Sequence, residues 1–180
     1  MHSHSNRFHP TSWWVRILKN LALGALMGCS VAAFAQATPL ALAVGSTLQL
    51  AAADAKGQPF SMAQAQGKVA VVFIWTTSCA VCRDSLPELR SNLRGWANKP
   101  FVLVSANIDR KTEDWLVYEA AMGLTQNMGS NWVSVHQRAD MPPTARLPVT
   151  LLVNPQGKVI ARYEGRLAPE VWDSVAELLP

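Results

Sequence analysis

Cysteines are few in this chain, acids are scarce, and there is no long run of one charge. Three cysteines in 180 residues cannot build the disulfide framework of a small secreted scaffold. Cys79 and Cys82 alone lie close together. After residue 35 no second C-x-x-C and no H-x3–5-H accompanies them, so the ligand set of a closed structural zinc site is missing there. Charged residues make up 16% of the chain, 16 basic against 12 acidic. The basic excess sits at the start: Arg7, Arg16 and Lys19 fall in the first 35 residues, which hold no acid. Removing these three from 16 leaves 13 basic and 12 acidic residues, a net of +1. A near-neutral remainder without a basic run excludes a nucleic-acid-binding surface. The apolar stretch Leu21 to Ala35 has 15 residues, fewer than the roughly 20 that span a bilayer.

What is present begins with that stretch. A basic segment ending at Lys19, the run "LALGALMGCSVAAFA" and the small-residue ending Ala33-Phe34-Ala35 match an export signal with an A-x-A cleavage pattern. Cleavage after Ala35 leaves a chain beginning at Gln36. Two alternatives stay open. The weakly polar continuation to Val44 lengthens the stretch enough for an uncleaved anchor, and "LMGC" resembles a lipoprotein signal acylated at Cys29. Residues 1–35 are therefore read as a signal peptide or anchor, and 36–180 as one domain. Export places the chain in the periplasm, free or held at the inner membrane. There a close thiol pair can cycle between dithiol and disulfide.

Within the domain, "STLQLAAADAKGQPF" predicts two short strands around an Asp54–Gly57 turn. "VAVVFIW", Val69 to Trp75, is a continuous β-branched and aromatic run, as a central strand buried on both faces requires. Apolar side chains then recur at 79, 82, 86, 89, 93 and 96, one face of a helix. Pro87 is expected to kink it. "FVLVSANI" reads as a second buried strand. Thr112 is a candidate cap for a helix over Glu113–Met122, stopped by Gly123. "WVSV" suits a short strand, and His136 to Leu147 a loop or broken helix. "VTLLV", a turn at 154–157 and "KVIARYEG" read as a hairpin, and Pro169 suits the first turn of a last helix. The order β-β-β-α-β-α-(β)-β-β-α predicts an α/β domain with a central mixed sheet flanked by helices and an N-terminal β-hairpin extension.

The two cysteines fall at the first strand-to-helix junction of this order, a thioredoxin-like placement. Unpaired N–H groups and the helix dipole favour an anion there. Cys79 is thus the candidate nucleophile, and Cys82, one turn on, the candidate resolving thiol. A metal clip and two incidental core thiols are the competing readings.

"GKVAVVFIWTTSCAVCRDSLPELR", with "LPVTLLVNPQGKVIARYEG" far downstream, resembles the thioredoxin-like TlpA/ResA branch of exported thiol–disulfide oxidoreductases. The resemblance runs from about Val44 to Pro180. It implies a cis Leu147–Pro148 bond lying against the disulfide, and it assigns Trp75 to the tryptophan that precedes the first cysteine. Trp75, Leu147 and Pro148 are therefore candidate substrate-binding residues, forming an apolar rim with Ala80-Val81. Protein thiols and disulfides are the implied partners, with a membrane dithiol protein as electron donor or acceptor. The sulfurs carry the electrons, so no organic cofactor and no metal is required. The direction of electron flow is left open.

The chain departs from the branch in its acids. Phe73 stands where cytoplasmic thioredoxins carry a buried aspartate, and Ser85 where ResA-type proteins carry a glutamate. Two functional alternatives follow from the same cysteines. A thiol peroxidase is suggested by Thr76-x-x-Cys79, with Arg146 and Arg162 as candidate partners of the thiolate. A copper-handling or cytochrome-assembly binding protein is the non-enzyme reading.

Overall fold

The computed structural model describes residues 42–125, 129–137 and 145–180. The export segment and residues 138–144 of the proline-containing loop lie outside them.

Strands β3 (Val69–Trp75) and β4 (Phe101–Asn107) are buried along their whole length, which is why both read as unbroken apolar runs. They pair in parallel from Val69↔Phe101 to Trp75↔Asn107. Such pairing needs a crossover, and helix α1 (Ala80–Gly95) supplies it. Strand β5 (Trp132–His136) runs parallel to β4 on its far side. On the near side of β3, β6 (Val149–Val153) and β7 (Val159–Glu164) add antiparallel pairs. At the turn between them, Asn154 Oδ1 accepts the N–H groups of Gln156 and Lys158, and Gly157 takes a φ of 79°. Only glycine adopts that conformation at no steric cost.

The N-terminal hairpin forms from β1 (Ala51–Ala53) and β2 (Pro59–Ser61). It is part of the main sheet, because β1 pairs with β5 through Ala53↔His136. The full order is β2-β1-β5-β4-β3-β6-β7. Helix α2 (Thr112–Thr125) differs from its expected bounds: Thr112 is its first residue, not its cap, and the helix runs past Gly123. Helix α3 (Glu170–Glu177) follows Pro169. A 3-10 helix at Met62–Ala65 was not predicted; four residues show no period to read.

Alternation along β3 divides the core. Val69, Val71, Phe73 and Trp75 share one cluster with Leu86, Leu89 and Leu93 of α1, Trp115 of α2, and Trp172 and Val175 of α3. Ala70, Val72 and Ile74 share the other with Leu42, Leu48, Leu50, Phe60 and Met62. Burying each α1 leucine is worth about 1.5–3 kcal/mol. These leucines tie α1 to β3 through its uninterrupted passage over Pro87. Among the described residues, no helix is long and apolar enough to cross a membrane.

Candidate active site at the start of the first helix

Strand β3 ends at Trp75, and four residues later Cys79 caps α1. Its backbone is extended (φ −81°, ψ 106°), and its Sγ accepts the Cys82 N–H at 3.1 Å. A cysteine sulfur thus occupies the position where serine or aspartate usually answers an unpaired helix-end donor. Cys79 is half-buried and Cys82 wholly buried. The two form a disulfide with their Cα atoms 5.2 Å apart. Of the two, only Cys79 has solvent access.

The Leu147–Pro148 peptide bond is cis. Pro148 is buried and immediately precedes β6, whose Val149 pairs with Ile74. This register brings Pro148 level with the end of β3, at the same edge of the sheet as the cysteines. The Pro148 carbonyl accepts the Gly165 N–H at 2.8 Å. Leu147 is half-buried and packs against both core clusters. Val81, at the tip of the C-x-x-C, is 47% exposed.

Trp75 does not join this rim. It is fully buried, its Nε1 donates to Ser105 Oγ at 2.9 Å, and its ring meets Tyr118 edge-on at 5.0 Å. As the last β3 residue on the helix-covered face, it points into the core and not toward a partner.

Neither of the two positions considered for a proton-relay acid carries one. Phe73 is core, and Ser85 is buried with its hydroxyl donating to the Val81 carbonyl at 2.8 Å. Glu88 is turned toward the C-terminal end of the chain, accepting from Trp172 Nε1 at 3.3 Å and Arg166 at 3.2 Å. The arginines considered for a peroxidase site both meet Glu164. Arg162 pairs with Glu164 on β7, and the main-chain N–H of Arg146 contacts the same carboxylate. Among the described residues no group of three or more His, Cys, Asp or Glu side chains is arranged to hold a metal.

The sequence reading missed a polar network behind the loop. Asp109, buried just beyond β4, accepts the Thr77 N–H with both carboxylate oxygens at 3.1 Å. Asn107 Nδ2 donates to the same carboxylate at 2.9 Å, and Asn107 Oδ1 accepts the Asp109 N–H at 2.9 Å. His136 is the last residue of β5, not a loop residue; its Nε2 donates to the Asp109 carbonyl at 2.9 Å, and its ring stacks on Trp115. The only sequence cue was two polar residues, Asn107 and Asp109, closing an apolar strand.

Comparison with known proteins places this geometry. The model of the AhpC/TSA family matches residues 44–172. The soluble secreted antigen MPT53 of Mycobacterium tuberculosis is 42% identical over 52 residues, covering 29% of this chain and about 30% of that protein's length. The thiol-disulfide oxidoreductase ResA of Bacillus subtilis is 23% identical over 130 residues, covering 70% of this chain and 69% of that one. The thioredoxin domain of a thiol-disulfide oxidoreductase from Bacteroides vulgatus superposes with a TM-score of 0.59 at 24% identity, over 76% of this chain and 97% of that domain. The fold is therefore thioredoxin-like.

Proposed function

Because the chain belongs to the AhpC/TSA family, we propose that it is an exported thiol–disulfide oxidoreductase that exchanges disulfides with other proteins through Cys79 and Cys82. The observation that carries this reading is the asymmetry of the pair: a half-exposed Cys79 receives the Cys82 N–H at the helix end, while Cys82 is buried behind it. That N–H and the helix dipole favour a thiolate at Cys79 when the bond is reduced.

In the reducing direction, the Cys79 thiolate attacks one sulfur of a partner disulfide. A mixed disulfide forms and the partner's other sulfur leaves as a thiolate. Cys82, as thiolate, then attacks Cys79 Sγ, the second partner thiolate leaves, and the Cys79–Cys82 disulfide is restored. A dithiol protein at the membrane returns the two electrons. In the oxidising direction the same steps run backward. Leu147, Pro148 and Val81 form the apolar surface on which an extended partner segment rests, with β-strand addition supplying main-chain contacts. Location in the periplasm, with the chain freed at Gln36 or anchored, and a role in cytochrome c maturation or general disulfide reduction extend the same reading. The description of MPT53 as secreted and the N-terminal export pattern support the location.

A trapping experiment tests both chemistry and place. Cells producing the Cys82→Ala chain should accumulate mixed disulfides outside the cytoplasm, bonded through Cys79. The Cys79→Ala chain should accumulate none. Equal trapping by both variants contradicts the division of roles. Peroxide consumption without any protein adduct would point to the peroxidase alternative.

A further inference from the structure

The loop from Thr76 to Ser78 joins the end of β3 to the nucleophile, and its middle peptide is gripped from both sides by opposite charges. Asp109 takes the Thr77 N–H with both oxygens at 3.1 Å. Arg83, one turn into α1, donates through Nη1 to the Thr77 carbonyl. The loop is closed onto Cys79 by the Cys79 N–H, which donates to the Thr76 carbonyl at 3.2 Å. Asp109 is only 7% exposed and forms no ion pair among the described residues. A buried carboxylate without a cation is costly unless its N–H donors are well placed. Here those donors are Thr77 N–H and Asn107 Nδ2, and the first of them lies two residues from the reacting sulfur.

We propose that Asp109 and Arg83 are positioning residues that fix the Thr77 peptide and, by their opposite charges, set the stability of the Cys79 thiolate in opposite directions. The proposal rests on the oxidoreductase reading above and assigns a function to residues outside the C-x-x-C. Negative charge near a thiolate disfavours it, and positive charge favours it. Asp109 therefore raises the Cys79 thiol pKa and holds the pair toward the disulfide, and Arg83 does the reverse. The charged and titratable groups around this loop come from four stretches of chain. They are Arg83 and Asp84 on α1; Asp109 with the exposed Arg110 and Lys111 after β4; Tyr118 on α2, which packs on Trp75 and interacts electrostatically with Arg83; and His136, which reaches Asp109 through its main-chain carbonyl. Of these, Arg83 and Asp109 touch the Thr77 peptide.

The test uses Asp109→Asn, which keeps an oxygen acceptor for Thr77 and removes the charge, beside Arg83→Gln on the exposed face of α1. The equilibrium measured is protein disulfide plus two glutathione thiols giving protein dithiol plus glutathione disulfide. Asp109→Asn should shift it at least about threefold toward the dithiol and lower the Cys79 thiol pKa, read from thiolate absorbance against pH. Arg83→Gln should move both the opposite way. A purely structural role would lower the melting temperature and leave both quantities at their wild-type values, and that result overturns the proposal. So does movement of both variants in one direction. Failure of the wild-type pair to equilibrate with glutathione at all would instead overturn the oxidoreductase reading. In the wild-type chain the Thr77 amide should exchange with solvent at least about 100-fold more slowly than a free loop amide. An unprotected Thr77 amide overturns the anchor even if Asp109→Asn does not fold.

Discussion

Cys79 and Cys82 sit three apart in sequence, so their spacing and their junction could be read directly. Trp75 could not be placed from its distance to Cys79 alone. Its side chain follows the two-residue period of β3 into the helix-covered core, where Ser105 holds its indole N–H. Trp75→Phe removes that donor, leaves the buried Ser105 hydroxyl unpaired and opens a gap. The expected cost is about 2–4 kcal/mol of unfolding free energy by denaturant titration. Disulfide exchange by the folded variant should stay within about twofold of wild type, since the ring is fully buried. A large loss of exchange at unchanged stability would return Trp75 to the substrate surface. Asp109 was illegible for a different reason: its partner Thr77 lies 32 residues away, and no local pattern encodes that meeting.

Elements buried on both faces were the most legible, because β3, β4 and β6 each read as an apolar run. The face of α1 was legible through its leucines; buried Ser85 on the same face was not, being polar. The pairing of β1 with β5 depends on a single long-range register, Ala53↔His136, and the sequence holds no trace of it. Helix α2 carries a further consequence. Glu119 lies against β5, and burial pushes its carboxyl above the ordinary glutamate range, opposed by the hydrogen bond from Ser134 Oγ at 2.7 Å and by Trp115. A raised value means that the folded state binds the proton more readily than the unfolded chain. Glu119 therefore favours folding fully below the ordinary carboxylate range, and this contribution is lost as pH rises through the folded-state value. Glu119→Gln keeps an acceptor for Ser134 and escapes that loss. Its melting temperature should exceed wild type at pH 7, with the difference shrinking toward pH 4. An unchanged or lower melting temperature at pH 7 would contradict the burial argument.

At the scale of the molecule, the thioredoxin-like architecture follows from the order of elements, and the family match from residue 44 to 172 agrees with it. The N-terminal export pattern and most of the proline-containing loop remain sequence readings. Under the proposed function, recognition of protein partners falls to the apolar surface beside Cys79 and to main-chain pairing. All of this depends on the Cys79–Cys82 bond being exchangeable and not a structural staple. The direct measurement is its midpoint reduction potential, from equilibration in glutathione buffers followed by thiol alkylation and mass analysis. An exchanging pair predicts a single two-electron transition between about −270 and −120 mV, the span of known dithiol oxidoreductases. A midpoint below about −300 mV, where structural disulfides lie, would contradict the central claim.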